Sequence, residues 1–382
     1  MRPQSAHIPT RSRRLVETVD SRLGLDALRY PVPEHANNLA WSLGGLTAAA
    51  FAVLVATGVV LAQFYNPSPE AANASVRSIM QDVFLGRFIR SLHFWAAQAM
   101  LVLAALHLLR VFFHGSYKRP REANWLIGLS MFGLTFLAIF TGTVLKWDQE
   151  AYEALEHNLE LAGLLGGVGF WFSAELAEQT PILVRLYAAH VMLIPLLIVM
   201  ALTVHALLIK RHGISSHPQL PSEVPDSPAA LEPAGGAPVA VPASVRVAAG
   251  PGETYHEERE PFTHHLRRLA GFALVLVGGL SVLAVLLPPP VGPTPVAGIE
   301  VTRPPWPFWW MFTLENWFGL SGIVWGGAAL FLLLAATPFV DRNPARSWRA
   351  RPVAMTVGAV VVLALVVLTV LMGLSTPVEH LE

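Results

Sequence analysis

Seven stretches, at about 38–63, 90–114, 124–145, 183–211, 266–288, 316–339 and 352–374, each run for some twenty residues or more with few charges. A helix needs roughly 20 apolar residues to cross a hydrocarbon layer about 30 Å thick. In lipid, only an element that satisfies its own backbone hydrogen bonds can make that crossing. The chain therefore reads as an all-α, polytopic membrane protein. Hydrophobic residues make up 53% and charged residues 14% of the 382, whereas a soluble domain is about a quarter charged.

Charge sets the expected orientation. The loops "HGSYKRPREAN", "KRHGISSHP" and "DRNPARSWRARP" are basic, whereas residues 149–179 carry Glu150, Glu153, Glu156, Glu160, Glu175 and Glu178. The positive-inside rule then predicts a cytoplasmic N-terminus and an outer acidic loop, as in a bacterial cytoplasmic (inner) membrane. Residues 1–37 are too long and too acidic for a cleaved signal peptide. Within them "RSRRLVETVDSRLGLDALRYP" has helical apolar spacing, which suits a helix on the membrane surface and equally a plain polar tail. Residues 216–262 turn to Pro, Ala, Gly and Ser and read as a cytoplasmic linker. It divides a four-helix module, 38–215, from a three-helix module, 263–382. The net charge is zero, which does not point to nucleic acid, and with no cysteine the chain has no thiolate metal site and no thioether-linked haem.

The second span carries His93 and His107, fourteen residues apart, and the fourth carries His190 and His205, fifteen apart. At 1.5 Å per residue each pair is separated by about 21–22 Å, four turns along one face. The two spans run in the same direction, so His93 lies level with His190 and His107 with His205. Facing imidazoles are suitable axial ligands for a six-coordinate haem iron, and polar groups inside a membrane are usually functional. The expectation is a four-helix bundle holding two non-covalent b-type haems, followed by three further transmembrane helices. The bland alternative satisfies each histidine by a hydrogen bond and predicts a colourless protein, such as a transporter or scaffold. Arg90, Arg110, Arg185 and Lys210 lie just beyond the histidines on the surface side, placed to pair with haem propionates or simply to snorkel. Gly44 and Gly58 in the first span, and Gly128 and Gly142 in the third, repeat the fourteen-residue interval and would let a flat macrocycle approach.

These residues, with "PEHANNLAWSLGG", "FYNPSPEAANASVRSIM", "GRFIRSLHFWAAQ", "HLLRVFFHGSYKRPRE", "GTVLKWDQ" and "HALLIKRHGIS", resemble the cytochrome b family of the quinol-oxidising bc1 and b6f complexes. The likeness covers nearly all of 30–215 and, less tightly, 266–374. It is similar to a b6-like module fused to a subunit IV-like one. The resemblance implies that His93 and His190 ligate a low-potential haem near the outer face, and His107 and His205 a high-potential haem near the cytoplasm. It implies quinol oxidation at an outer site, transfer to an inner quinone site, proton translocation, and work only within a complex. Partners implied are a Rieske-type iron–sulfur protein, a c-type cytochrome, the quinone pool, membrane lipid and a second copy of the complex.

Two positions depart from the pattern. Ser42 stands where b6 has a cysteine that attaches an extra haem, so no covalent haem is expected. In "PPWPFWW", Pro305 stands where the family has a proton-accepting glutamate. Glu315 is the candidate replacement, Trp306 and Phe308 suit either a quinone pocket or an aromatic belt, and Lys146 replaces a b6 proline nearby. At the inner end Lys210, Arg211 and His212 could serve a quinone or form an ordinary basic cluster. The loss of the glutamate also allows a dihaem anchor that links the quinone pool to another redox subunit without bifurcation.

Overall fold

The computed structural model describes residues 22, 31–166, 173, 179–215, 244–250, 253–375 and 380–381. The surface helix expected over residues 11–31 falls almost wholly outside them. Strand β1 (Pro31–Pro33) leads through a 3-10 turn into α1 (Leu39–Leu61). Asn38 starts that helix by accepting the Trp41 amide at 3.1 Å, the usual service of an N-cap side chain. Then come α2 (Ala72–Gln81), α3 (Gly86–Phe113), α4 (Glu122–Val144), α5 (Gln149–Leu164) and α6 (Ile182–His212). A π turn at Ala189–Leu193 interrupts α6, and Gly213, at φ 70°, ends it.

Strands β2 (Ser244–Gly250) and β3 (Glu253–Pro261) precede α7 (Phe262–Leu286). The short strand β4 (Ile299–Glu300) is followed by α8 (Trp309–Phe318), α9 (Leu320–Val340), α10 (Pro352–Leu374) and β5 (His380–Leu381), which pairs with β4. Seven helices, α1, α3, α4, α6, α7, α9 and α10, are long and apolar enough to cross a membrane. They match the seven apolar stretches, with one difference. The sixth stretch is broken, because Gly319 at φ 68° turns the chain between α8 and α9, a conformation that costs glycine little. Many large apolar side chains point outward, as in Val353, Leu274 and Leu332, which is the surface lipid requires.

Alternation of the spans puts His93 and His190 toward one end of the bundle and His107 and His205 toward the other. Helix α1 lies along α3 and α4 along α6, while α7 packs on α1 and α3, α9 on α4, and α8 on α9 and α10. Part of the expected linker is ordered. Residues 244–250 and 253–261 form an antiparallel pair, and β3 also pairs with β1, Val32 opposite Glu260. Asn37 Nδ2 donates to Glu260 Oε2 at 2.7 Å, tying the start of α1 to the approach to α7.

At the His107 end a buried ionic cluster joins the loop after α3 to the loop after α9. Lys118 Nζ lies 2.9 Å and Arg351 Nη1 3.3 Å from Asp341 Oδ2. Tyr117 donates its hydroxyl proton to the same carboxylate. Arg351, fully buried, also donates to the Phe113 carbonyl at 2.7 Å and the Phe112 carbonyl at 3.3 Å. These are carbonyls at the end of α3, where a cation is favoured. Burial works against the Asp341 charge. The hydrogen bonds from Tyr117, Lys118 and Arg351 and the Lys118 charge outweigh it and hold this carboxyl below its usual value.

Candidate functional site

The imidazoles of His93 and His190 face each other with ring centroids 6.3 Å apart. Their proton positions follow from two threonines. Thr57 Oγ1 donates to the Val53 carbonyl at 2.7 Å and lies 2.9 Å from His93 Nδ1. Thr141 Oγ1 donates to the Leu137 carbonyl at 2.8 Å and lies 3.0 Å from His190 Nδ1. A hydroxyl has one proton to give. Each threonine must therefore accept from Nδ1–H, which leaves the lone pair on Nε2, where a metal would bind. The sequence reading missed both threonines, although the repeated Thr57-Gly58 and Thr141-Gly142 dipeptides mark them.

His107 and His205 lie within electrostatic reach of each other. Both Nδ1 atoms are buried; that of His107 meets no acceptor at hydrogen-bonding geometry, while His205 has only a looser contact with the Asn124 backbone. The two pairs are therefore alike in arrangement and unlike in support.

The four glycines make room for imidazoles, a closer role than the contact with a macrocycle expected from spacing. A Cβ on Gly142 would lie 2.9 Å from His190 Cε1, and one on Gly44 3.0 Å from His107 Cε1. On Gly58 it would lie 3.3 Å from His93 Cε1, and on Gly128 3.5 Å from His205 Cε1. Helix α1 thus cradles the histidines of α3, and α4 those of α6. We expect Gly142→Ala to displace the His190 ring and lower haem occupancy at that pair several-fold, while Gly128→Ala, whose Cβ meets His205 at only ordinary contact, leaves occupancy at the His107 and His205 pair within about twofold. Haem extracted per chain from the two purified variants checks this.

The basic residues divide. Arg110 lies over the Trp41 ring at 3.4 Å and keeps a buried Nε with no partner among the described residues. Arg185 donates to the Ser173 carbonyl at 2.6 Å and likewise keeps an unpartnered Nε. Arg90 donates to the carbonyls of Pro289 at 2.8 Å and Pro290 at 3.3 Å, bracing the chain after α7. Lys210 is exposed. Facing imidazoles with lone pairs on Nε2, glycine cradles and orphaned buried guanidinium N–H groups fit a haem with its propionates. Among the described residues no group of three or more His, Asp or Glu is placed to hold a bare metal ion. Two axial nitrogens suffice where a macrocycle supplies the rest. Buried Ser42 donates to the Asn38 carbonyl at 2.9 Å and offers no thiol.

At the His93 end, α5 organises the chain between α7 and α8. Asp148 Oδ2 accepts the Gly292 amide at 2.9 Å, Gln149 Oε1 accepts the Val296 amide at 2.7 Å, and Glu153 Oε2 accepts the Thr302 amide at 2.9 Å. Lys146 pairs with Glu150 at 2.5 Å and Asp148 at 3.4 Å. Pro305 precedes a 3-10 turn, Trp306–Phe308. Trp306 Nε1 donates to Gln98 Oε1 at 2.6 Å, and the Phe308 ring lies 5.8 Å from that of Phe136. Glu315 Oε1 sits 2.6 Å from His157 Nε2 of α5, a partner the sequence reading did not find.

At the other end the His212 carbonyl accepts from Arg121 Nη2 at 2.9 Å. The His35 ring lies edge-on to Trp41 at 4.5 Å, and His35 Nε2 is 3.2 Å from the Ser215 carbonyl. His114 lies 5.8 Å from Trp41. This group, centred on Trp41, was not foreseen, because its members come from three separate segments.

Comparison with known proteins agrees with the arrangement. The cytochrome b/b6/petB family model matches residues 28–213. Cytochrome b6 of Heliobacterium mobile is 43% identical over 194 residues, which is 50% of this chain and 91% of that protein. The menaquinol:cytochrome c reductase cytochrome b subunit of Bacillus subtilis (strain 168) is 33% identical over 218 residues, 53% of this chain and 97% of that one. In fold, the chain is similar to a chain of a hyperthermophilic respiratory Complex III at TM-score 0.77 and 20% identity, covering 94% of this chain and 92% of that one. The family model spans the helices that carry the four histidines, and the structural likeness covers nearly the whole chain. With the facing imidazoles, their glycine cradles, the family model matched over residues 28–213 and a 43% identical cytochrome b6 matched over 91% of its length, this multi-pass membrane chain belongs to the cytochrome b/b6 family.

Proposed function

We propose that the chain is the cytochrome b subunit of a quinol:cytochrome c-type oxidoreductase, moving electrons between an outer quinol site and an inner quinone site across a bacterial cytoplasmic membrane. The observation that carries this reading is the pair of facing imidazoles, His93 and His190, with their threonine-fixed tautomers, accompanied about four turns away by a second pair, His107 and His205, whose Nδ1 atoms are buried. Bound at these pairs, two b haems supply one-electron redox chemistry. The protein's part is to hold, orient and shield. Nε2 of each histidine is the ligand atom, and Arg110 and Arg185 are placed to pair with propionates.

Trp306, Phe308 and the segment after Pro305 form the proposed quinol site, with Glu315 as its acid–base group. Lys210 and His212, with the Trp41 group, mark the proposed inner site. Electrons and protons released by quinol require one-electron acceptors beyond this chain, a Rieske-type iron–sulfur protein and a c-type cytochrome. The N-terminus lies in the cytoplasm in this scheme, and quinol protons leave at the opposite face. A second reading, a dihaem anchor without bifurcation, is favoured by Pro305 alone.

A reduced-minus-oxidised spectrum of the purified protein, with haem extracted by acidified organic solvent and counted per chain, tests the cofactors. Two extractable haems that, with an inhibitor blocking the inner site, added quinol reduces only when the oxidised acceptor proteins are present fit bifurcation. Direct reduction without a Rieske partner fits the anchor, and a colourless protein defeats both.

A further inference from the structure

We infer that Glu315 and His157 form the proton-accepting pair of the quinol site, Glu315 taking a quinol hydroxyl proton and His157 positioning the carboxylate and passing the proton on. This rests on the reading just given and specifies its chemistry.

The other acids at this end that the hydrogen bonds place are engaged by fixed donors. Glu153 accepts from Gln149, Val301 and Thr302, Asp148 from Ala151 and Gly292, and Glu150 pairs with Lys146. Glu315 meets an imidazole instead, at 2.6 Å. An imidazole both gives and takes protons near neutrality, and a carboxylate held through one oxygen keeps a second that accepts. The pair is partly enclosed, His157 at 20% and Glu315 at 15% side-chain exposure, with the Phe312 ring 5.2 Å from the imidazole. Leu314, next to Glu315 in the chain, lines an open apolar groove of about 390 Å3 between α8 and α9, with the exposed Phe318 and Trp325. A proton-transfer pair beside apolar surface suits a lipid-soluble diol.

The two residues come from different halves of the chain, His157 from α5 and Glu315 from α8, so the acceptor exists only when the halves are docked. In the step proposed, one quinol O–H bond breaks and the proton bonds to a Glu315 oxygen. The bonding electron pair stays on the quinol oxygen, which leaves the quinol as its monoanion. The monoanion becomes quinone when its two electrons go to the one-electron acceptors already named, a b haem and an iron–sulfur protein. Its remaining O–H bond breaks then, that proton going to water at the outer face while His157 carries off the first.

The test uses the purified, haem-loaded complex and short-chain ubiquinol and menaquinol. Glu315→Gln is expected to lower kcat about 10²- to 10⁴-fold, the range for loss of a general base, with KM within about threefold. Glu315→Asp recovers part of the loss, and His157→Gln costs about tenfold with a larger solvent deuterium effect. In all three variants dithionite reduces both haems as in the wild type, which confirms assembly. Wild-type kcat in Glu315→Gln overturns the inference. So does equal loss in Glu315→Gln and Glu315→Asp with haem missing from both, since that is the mark of a structural role. A wild-type complex that neither quinol reduces overturns the proposed function itself, an outcome distinct from both.

Discussion

Replacing His190 by alanine is expected to leave one haem per chain instead of two, retained at the His107 and His205 pair, and to abolish quinol-driven electron transfer across the membrane. The reason is that His93 then has no opposing imidazole at 6.3 Å to complete the axial set. The milder Thr141→Val separates ligation from its support. It keeps the imidazole but removes the hydroxyl that fixes Nδ1–H, and such losses typically cost about 10–100-fold in affinity. Titration of haem into depleted membranes, followed by difference spectra, distinguishes the two. Full haem content in His190→Ala would refute the ligand assignment.

The second large effect concerns the ionic cluster rather than the haems. Arg351→Ala removes a fully buried guanidinium that holds Asp341, Tyr117 and two terminal carbonyls of α3. Breaking a buried pair from one side costs about 3–5 kcal/mol, so thermal unfolding in detergent should begin well below the wild-type temperature. Asp341 makes the same cluster sensitive to acid. Its carboxyl is held below its usual value. Its contribution is therefore present above the unfolded carboxyl's value of about 3.9 and is lost as pH falls through the lower folded value. Asp341→Asn should lose stability at neutral pH and show no further loss over that acid window, measured by the same unfolding assay.

The spans and the four histidines were legible in the sequence because a membrane enforces both. Twenty apolar residues have few uses other than crossing lipid, and an imidazole among them is conspicuous. The glycine register was legible as spacing, though what the glycines touch was not, since spacing does not say which neighbouring surface a Cβ would strike. Residues 244–261 look like linker by composition. The pairing of residues 259–261 with Pro31–Pro33 depends on contacts more than two hundred residues apart, which local composition does not encode. Arg90 was expected to pair with a propionate or to snorkel, because position alone puts it beside His93. The carbonyls of Pro289 and Pro290 that engage it come from the other half of the chain. Glu315 was found only through the family pattern, and its partner His157, 158 residues away, carried no local signal.

The π turn at Ala189–Leu193 has a consequence for how this bundle tolerates insertion and deletion. Helix α3 separates its histidines by fourteen residues and α6 by fifteen, and in a regular helix one extra residue would swing a side chain round by about 100°. A π turn takes up one residue with little change of direction on either side, and this one contains His190 itself. Helix α6 thus works like a vernier scale, with one more division than α3 over the same length and both marks still aligned. What the fold preserves is the height and bearing of a side chain in the membrane, not the number of residues between two of them. Counting along the sequence is therefore an unsafe ruler for finding such ligands in more distant chains.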